Sequence, residues 1–324
     1  MSGIYIVGGG TSGLIANYVF RRKGFAPVVL EPGELGGEFL TGGLRYIHRT
    51  DAMVRMVEEF ELPMSEYNVK GGIMLRGSVH PYPKHLSTLP PEQSSRIRID
   101  HFRKTRRMEP GKFGERSMND PATKSTRRRA LRCDFEELIK ELGSVADVKR
   151  FSLAEIDSRA NRIRLKDIGW FNYDLLVLTI PLWVIRQMAD FYVPHGMAMA
   201  LNLVHVVPNK DRYSKWDYVY TPYTPSDAVH RFSPSDDGYT LEVNGDWDQR
   251  RTDTLDDLAF IFPDGFVVRG VRTGLKGHLL ELDQKPEWPS NVFPLGRFAE
   301  WNPRGTLDVA YERAERILHQ WMTR

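Results

Sequence analysis

The chain has 324 residues, of which 41% are hydrophobic and 27% charged, and its formal net charge is +3. This composition is that of a folded globular protein and excludes a disordered or fibrous one, while the length allows two modest domains. The single cysteine, Cys133, excludes an internal disulfide and a cysteine-rich metal site. The N-terminus lacks a secretory signal and no run of about 18 apolar residues occurs, so we expect a cytoplasmic protein without a membrane partner.

The first predicted elements are a strand, a glycine-rich turn and a helix. A short apolar run near the N-terminus favours a strand, and Gly8, Gly10 and Gly13 follow it with the spacing G-x-G-x-x-G. In this motif the first glycine permits a tight turn, the second lets a pyrophosphate approach the backbone, and the third lets helix and strand pack closely. Thr11 and Ser12 begin the helix, whose unpaired amides stabilise phosphate groups. The pattern predicts a dinucleotide site.

A second apolar strand follows the helix and ends at an acidic residue. Glu31 lies eighteen residues after Gly13, where its carboxylate is placed to accept hydrogen bonds from the adenosine ribose hydroxyls. The glycine pair Gly36 and Gly37 comes shortly afterwards. This pair resembles the second FAD contact of the amine oxidase-like flavoproteins. The resemblance implies FAD, rather than NAD, as the cofactor.

The same resemblance implies that the chain returns late to complete the flavin site. Residues 173–181 are similar to the buried strand and turn that re-enter the FAD domain, and the turn ends at Pro181. Residues 291–297 lead through Asn302 into a terminal amphipathic helix that begins at Thr306. In the family this segment sets a helix N-terminus against the flavin pyrimidine, where its positive potential stabilises charge on the reduced flavin.

Within that superfamily the sequence most resembles UDP-galactopyranose mutase, in four separated pieces. These are a glycine and histidine loop with Gly43 and His48, a histidine-proline-tyrosine-proline piece at 80–83, the pair at 230–231, and the closing pair Gly296 and Arg297. The chain also departs from that pattern. Arg45 stands where the mutases have the first histidine of their loop, Asn302 stands about where they place an arginine on the diphosphate, and residues 179–183 do not reproduce their Thr-Gly-Pro segment.

These observations predict an α/β fold, in which a Rossmann-type FAD-binding domain is interleaved with a smaller α+β substrate domain containing an antiparallel sheet. Alternating apolar and polar residues at 201–207 and 239–243 indicate that sheet. The predicted limits are 1–75, 134–190 and 286–324 for the FAD-binding domain, and 76–133 and 191–285 for the substrate domain.

Five residues are candidates for catalysis. His48 is the candidate proton carrier, because the ordinary pKa of histidine lies near neutrality. The planar guanidinium of Arg45 or Arg231 suits a substrate carboxylate, and His230 completes a polar pair with Arg231. Tyr220 belongs to an aromatic-rich stretch that either walls the flavin or packs in the core. No metal-ligand cluster and no serine elbow occurs in the sequence, which disfavours a metalloenzyme and a hydrolase.

The segment 96–132 is strongly basic. It contains thirteen Lys or Arg residues against four Asp or Glu. Such a segment attracts a polyanion or a phosphorylated ligand, so we consider a DNA contact there. The alternative is a solvated surface segment without a partner.

Three functions stay open on the sequence alone. The first is a FAD-dependent oxidoreductase that oxidises a carbon–nitrogen bond of an amine or amino-acid group, by oxidation or oxidative cleavage. Its substrate could be attached to a modified base in DNA, as in bacteriophage DNA hypermodification. The second is a mutase-like isomerase that uses reduced FAD on a nucleotide sugar. The third is a flavin-containing protein that binds nucleic acid without turnover.

Overall fold

The computed structural model describes residues 3–37, 46–106, 129–282, 287–301 and 306–324. Within these ranges the α-helices are α1 (Thr11–Arg22), α2 (Asp51–Glu59), α3 (Pro91–Arg106), α4 (Phe135–Ser144), α5 (Leu182–Met188), α6 (Trp247–Ile261) and α7 (Leu307–Met322), and a short 3-10 helix spans Lys84–Thr88. None of the helices in the described ranges is long and apolar enough to cross a lipid bilayer.

The strands form three sheets. In chain order they are β1 (Gly3–Val7), β2 (Val28–Leu30), β3 (Ile47–His48), β4 (Ser65–Asn68), β5 (Gly71–Leu75), β6 (Ser78–Pro81), β7 (Arg129–Arg132), β8 (Asp147–Lys149), β9 (Leu153–Asp157), β10 (Arg162–Leu165), β11 (Gly169–Leu178), β12 (Gly196–Pro208), β13 (Tyr218–Tyr220), β14 (Val229–Ser235), β15 (Gly238–Asn244), β16 (Phe266–Leu282) and β17 (Val292–Pro294).

The first sheet has the order β8-β2-β1-β11-β10-β9, with β17 beside β11. The strands β8, β2, β1, β11 and β17 pair in parallel, and α1 connects β1 to β2 as a crossover helix. Apolar residues of β1 and α1, such as Ile6, Leu14 and Phe20, are fully buried in one core. The predicted strand, turn, helix and strand at the N-terminus and the Rossmann-type fold class are confirmed.

The second sheet has the order β16-β12-β15-β14-β13-β5-β6 and is antiparallel except for the pair β13–β5. The two runs predicted as strands lie in β12 and β15, which pair with each other. One face of the sheet packs against α6 through an aromatic core of Tyr213, Phe232, Tyr239 and Phe262. Residues that alternate with this core, among them Arg231, lie on the opposite face.

The third sheet is small and has the order β3-β7-β4. Two strands, β5 and β7, belong to sheets other than those that the predicted domain limits imply. The strand β5 falls inside the range 1–75 but pairs with β13 in the second sheet, whereas β7 falls inside 76–133 but pairs with β3 and β4. The chain crosses between the sheets here through short strands of four or five residues, which carry no sequence pattern of their own. The domain limits stay a prediction.

A buried carboxylate in α6 fixes the turn between β13 and β14. Asp257 is fully buried, and it accepts hydrogen bonds from the Thr224 hydroxyl at 2.8 Å and from the backbone amides of Ser226, Ala228 and Val229 at 2.8, 2.7 and 2.9 Å. Four donors therefore depend on a single side chain.

We expect Asp257→Ala to destabilise the protein by on the order of 3–5 kcal/mol, because it leaves several buried donors without an acceptor. The control is Asp256→Ala, whose carboxylate makes one long, exposed contact with the Ser226 hydroxyl at 3.4 Å. That change is expected to cost less than about 0.5 kcal/mol. Urea unfolding measures both. Equal effects for the two variants would contradict the structural role given to Asp257.

Candidate functional site

The glycine turn between β1 and α1 leaves an open space at the helix N-terminus. Gly8 has φ +109°, and a Cβ atom at Gly13 would lie 1.9 Å from the Gly8 carbonyl oxygen, so both positions require glycine. A Cβ at Gly10 would meet no atom within 4 Å in the described parts of the chain. Gly10 is the N-cap of α1, and this helix has neither a side-chain cap nor an acidic residue in its first turn. The amides that follow, at Thr11 and Ser12, therefore face a position suited to an anion.

The loop after β2 lies directly against this turn. Glu31 accepts a hydrogen bond from the Gly9 amide on Oε2 and one from the Gly33 amide on Oε1, each at 2.7 Å. The Gly36 amide donates to the Gly9 carbonyl at 2.9 Å, and Gly37 has φ +58°. The Glu31 carboxylate thus connects the glycine turn to the loop that follows β2. Each of its oxygens keeps further acceptor capacity, and its contact with a ribose stays a prediction.

The predicted re-entry strand is β11, which lies between β1 and β17. At its end the Thr179 hydroxyl donates to the carbonyls of Val7 at 2.9 Å and Gly8 at 3.0 Å, tying this turn to the glycine turn. Pro181 follows as the N-cap of α5, and the Leu182 amide donates to the Phe298 carbonyl at 3.0 Å. Segments far apart in sequence therefore meet at one end of the parallel strands.

The closing segment contacts the start of α1. Gly296 has φ +95°, and a Cβ there would lie 2.5 Å from the Ser12 hydroxyl oxygen. Glu300 accepts from the Gly296 amide at 3.1 Å and from Arg313 Nε at 2.9 Å, which holds the segment on α7. The guanidinium of Arg297 lies 5.7 Å from the ring centroid of the adjacent phenylalanine.

His48 pairs with a carboxylate in the first turn of α7. Its Nδ1 lies 3.5 Å from Asp308 Oδ2. Burial opposes ionisation of Asp308, but hydrogen bonds from His48 and Thr306 outweigh it and hold the pKa of this carboxyl below its usual range. Thr306 is the N-cap of α7. Asp308 Oδ1 is buried and has no hydrogen-bond partner among the residues that the structure describes. The pairing leaves His48 Nε2 as the ring nitrogen available to a ligand.

The second sheet presents a buried ion pair on the face opposite α6. A bulge in β14 directs both His230 and Arg231 at Glu242 of β15. His230 Nε2 lies 3.0 Å from Glu242 Oε2, and Arg231 donates from Nε to Oε1 at 3.0 Å and from Nη2 to the same oxygen. Glu242 is 5% exposed and His230 is 1% exposed.

The charges of this cluster are fixed by its contacts. Burial alone would raise the pKa of Glu242, but Arg231 and His230 hold it well below its usual range. Burial lowers the pKa of His230, and its bond to Glu242 only partly opposes this, so His230 is neutral at neutral pH. Burial also acts to lower the pKa of Arg231, but Glu242, Tyr220 and Tyr46 raise it above its ordinary value.

Tyr46 lies near both His48 and Arg231. Its electrostatic effect reaches Arg231, and its ring centroid lies 5.3 Å from that of His48. His48 of the third sheet, with Asp308 of α7, therefore approaches from one side, and Arg231 with Glu242 of the second sheet approaches from the other. Tyr220 lies beside them, with its ring 6.0 Å from the Arg231 guanidinium carbon.

The helix α3 adds two titratable side chains behind this cluster. The ring of His101 lies 4.6 Å from that of Tyr220, and burial, with His230 and Lys104 nearby, lowers the pKa of His101 well below its ordinary value. Lys104 Nζ donates to the Thr221 carbonyl at 2.6 Å, and its side chain is 3% exposed.

Lys104 corrects one part of the prediction for the basic segment 96–132. Burial lowers its pKa to about 8, although Asp257 and Asp227 act to raise it. Its ammonium is enclosed within the fold, so Lys104 is not a surface cation available to a polyanion. Residues 107–128 of the segment lie outside the described residues, as do the candidates Gly43, Arg45 and Asn302.

We expect the protein to lose stability as the pH falls below about 6.5, the ordinary pKa of histidine. The pKa values of His101 and His230 are lowered in the folded state, so the unfolded chain binds protons that the folded chain does not. The loss is up to about 1.4 kcal/mol per pH unit for each such histidine. Urea unfolding at about pH 7.5 and at about pH 5.5 measures this loss of stability. His230→Gln is expected to flatten this dependence, and an unchanged slope would contradict the assignment.

The residues at the glycine turn and at α7 fit FAD. The open position beside Gly10 and the uncapped start of α1 suit a pyrophosphate. The unpartnered oxygen of Asp308 at the start of α7 accommodates a hydrogen-bond donor. Among the residues with described positions, no group of three or more His, Cys, Asp or Glu side chains could hold a metal ion.

No protein-family model matches the chain, and no curated protein is significantly similar to it in sequence. Solved structures match its fold over nearly its whole length. A reduced UDP-galactopyranose mutase is 13% identical, with a TM-score of 0.63 over 100% of this chain and 94% of that one. Putrescine oxidase bound to putrescine is 11% identical, with a TM-score of 0.62 over 98% and 99%. A fatty acid isomerase from P. acnes that produces CLA is 12% identical, with a TM-score of 0.66 over 98% of both chains. The chain therefore shares the fold of these solved structures over nearly its whole length.

Proposed function

We propose that this protein is a FAD-dependent oxidoreductase that oxidises a carbon–nitrogen bond of an amine or amino-acid group. The observation that carries the proposal is the placement of a histidine–carboxylate pair and a buried arginine around Tyr46, next to the start of α7. FAD supplies the hydride acceptor for this reaction when it is bound. The amine carbon would lose a hydride, and addition of water to the resulting iminium would split it into a carbonyl compound and a free amine or ammonia, so oxidation and cleavage share a first step.

The cofactor contacts that we propose come from both ends of the chain. Gly8, Gly10, Thr11, Ser12 and Gly13 hold the pyrophosphate and Glu31 the ribose. Gly36, Gly37 and Pro181 line the dinucleotide, and Gly296, Arg297 and Thr306 place the start of α7 at the flavin, whose reduced form a helix N-terminus stabilises. Gly43 and Asn302 complete the set on sequence grounds.

His48 is the proposed proton carrier. The contact of its Nδ1 with Asp308 orients the ring and leaves Nε2 to exchange a proton with the substrate amine or with water. Asp308 acts as a positioning residue, because its charge favours the tautomer in which Nδ1 carries the hydrogen.

Arg231 is the proposed anchor for an acidic group on the substrate. Two of its nitrogens bond to Glu242, but Nη1 makes no hydrogen bond within the described parts of the chain. Its side chain is 23% exposed, so the remaining nitrogen is reachable from the site. His230 and Tyr220 shape the pocket around it, and Arg45 is a second candidate anchor.

The test is an anaerobic titration of the purified flavoprotein with amines and amino acids, followed by the visible absorbance of the flavin. We expect a substrate amine to bleach the flavin in the parent protein. With His48→Gln we expect bleaching to slow by about 10²-fold or more, at unchanged flavin content. The matched control is His319→Gln in the last turn of α7, which should bleach at the parent rate. No bleaching with any amine would contradict the proposal.

The same experiment distinguishes the mutase alternative, which is favoured by the match to UDP-galactopyranose mutase over the whole chain. A mutase works with reduced flavin and gives no net oxidation. If dithionite-reduced protein interconverts a UDP-hexose while amines leave the oxidised flavin unbleached, the isomerase function replaces the oxidoreductase.

A DNA-linked substrate is the finer part of the proposal. The basic segment 96–132 supports it through its charge, and the described Arg96 and Arg129 side chains are 84% and 69% exposed. Binding through phosphate contacts falls steeply with salt. Amine-bearing DNA is expected to bleach the flavin at lower concentration than the free amine, and the advantage should vanish at high salt. DNA binding without bleaching would instead identify a non-catalytic binding protein.

A further inference from the structure

A cavity of about 660 Å³ lies between the third sheet and the second sheet, apart from the glycine turn. Tyr67 of β4 and Arg132 of β7 form one wall, and Ser233 and Thr240 of β14 and β15 form part of the other. We call it the side groove. Its volume is within the range of small-molecule sites.

The side groove adjoins the candidate catalytic position. Arg231 and Ser233 are two residues apart in β14 and lie on the same face of the sheet. Two strand residues span about 7 Å. A substrate whose acidic group is held by Arg231 could therefore extend directly into the groove.

Several hydroxyl groups in the groove have no hydrogen-bond partner among the described residues. Ser233 is 4% exposed, yet its hydroxyl makes no hydrogen bond to any residue whose position the structure describes. The Tyr67 and Thr240 hydroxyls are likewise without a described partner. Burial, with Asp217 nearby, raises the pKa of Tyr67 to about 12, so its phenol stays a donor. Lining the groove, the three hydroxyls can each form hydrogen bonds with a polar ligand.

The charges on the groove are of both signs. The guanidinium carbon of Arg132 lies 4.9 Å from the ring centroid of Tyr67. Arg132 makes no ion pair with the carboxylates of the described ranges. Arg272 also lines the groove. Asp217 and Asp236 supply two carboxylates. A lining that carries both signs of charge disfavours a simple anion, cation or apolar chain, and it fits a ligand that carries both charges.

We infer that the side groove binds a zwitterionic, amino-acid or dipeptide-like part of the substrate, beyond the amine that is oxidised. Its carboxylate pairs with Arg132, its ammonium with a groove carboxylate, and its amide groups with the free hydroxyls. The role as a substrate subsite rests on the proposed function, whereas binding itself does not require turnover.

The test is equilibrium dialysis of the oxidised holoprotein with dialanine, and with capped N-acetylalanine amide as the uncharged comparison. We expect dialanine to bind and the capped compound to bind at least about tenfold more weakly. Ser233→Phe fills the groove and Arg132→Met removes a cation. Each is expected to weaken dialanine binding about tenfold or more, at unchanged flavin content and circular dichroism.

Arg164→Met is the control, because Arg164 is an exposed residue of β10 paired with Glu155 outside the groove. It should bind dialanine as the parent does. No dialanine binding by the parent, equal binding of the capped compound, or parent-like binding by Arg132→Met would overturn the inference. Because flavin reduction is measured separately, dialanine binding without bleaching by any amine would leave the groove in place and refute the oxidoreductase.

Discussion

Gly10→Ala is expected to fold as the parent does and to lose most of its affinity for FAD. The backbone of Gly10, at φ −67°, accepts alanine, and the added methyl group would meet no atom of the described residues within 4 Å. The space that it fills is the position proposed for the pyrophosphate. Loss of one or two amide–phosphate hydrogen bonds, at about 1.5–3 kcal/mol each, corresponds to a fall in affinity of about 10- to 1000-fold or more.

The neighbouring glycines separate steric exclusion of the cofactor from damage to the fold. Gly13→Ala places a methyl 1.9 Å from the Gly8 carbonyl oxygen, so it should impair folding as well as binding. Gly3→Ala meets its nearest atoms at 3.5 Å, an ordinary contact, and serves as the neutral control. FAD binding to the apoprotein and urea unfolding are measured on all three. If Gly10→Ala binds FAD as tightly as Gly3→Ala does, the proposed pyrophosphate position is wrong.

Glu242→Gln is expected to destabilise the protein by about 3–5 kcal/mol, because it leaves the Arg231 cation without its buried counter-charge. The pair is enclosed, with Glu242 side-chain exposure of 7% and Arg231 exposure of 23%. In contrast, the exposed pair of Arg164 and Glu155 should contribute less than about 1 kcal/mol. Urea unfolding of Glu242→Gln and Glu155→Gln measures the difference.

A double variant distinguishes the charge from the packing. Arg231→Met with Glu242→Leu removes both charges, so it is expected to recover much of the stability lost in Glu242→Gln. It should nevertheless show weakened binding of an acidic substrate, since the proposed anchor is gone. If the double variant is less stable than Glu242→Gln, the Arg231 and Glu242 side chains stabilise the fold through their packing as well as through the balance of their charges.

The sequence predicts the parts of this fold that rest on local pattern. The glycine spacing after β1 and the apolar run that becomes β11 lead to the correct strands, because turn geometry and buried parallel strands restrict residue choice. The terminal helix also begins where predicted, directly after Thr306. The alternating runs identify β12 and β15 but not their neighbours, since pairing partners are set by tertiary contacts.

The candidate site is predicted only in part, because its partners come from distant elements. His48 and Arg231 can be selected by residue type and resemblance, but Asp308, Glu242 and Tyr46 become visible only when the sheets are assembled. One sequence feature could have identified Glu242, which is a charged residue inside the otherwise apolar run of β15. Asp308 looks like an ordinary acidic residue in the first turn of a helix.

The basic and aromatic stretches show where composition misleads. Lys104 counts as a cation of the basic segment but is enclosed beside Thr221. Phe232, in the aromatic-rich stretch that contains Tyr220, packs against Tyr213 and Phe262 in the core on α6, which is the second of the two roles considered for that stretch. Residue type alone does not say which face of a strand or helix a side chain occupies, and burial depends on that face.

The central claim is that this chain holds FAD at the glycine turn, and the most direct test is the FAD content of the purified protein. The protein is incubated with excess FAD, freed of unbound cofactor, and denatured, and the released flavin is measured against the chain concentration. The account predicts one FAD per chain for the parent and for Gly3→Ala, and far less for Gly10→Ala. A parent protein that retains no FAD after this treatment would contradict the account.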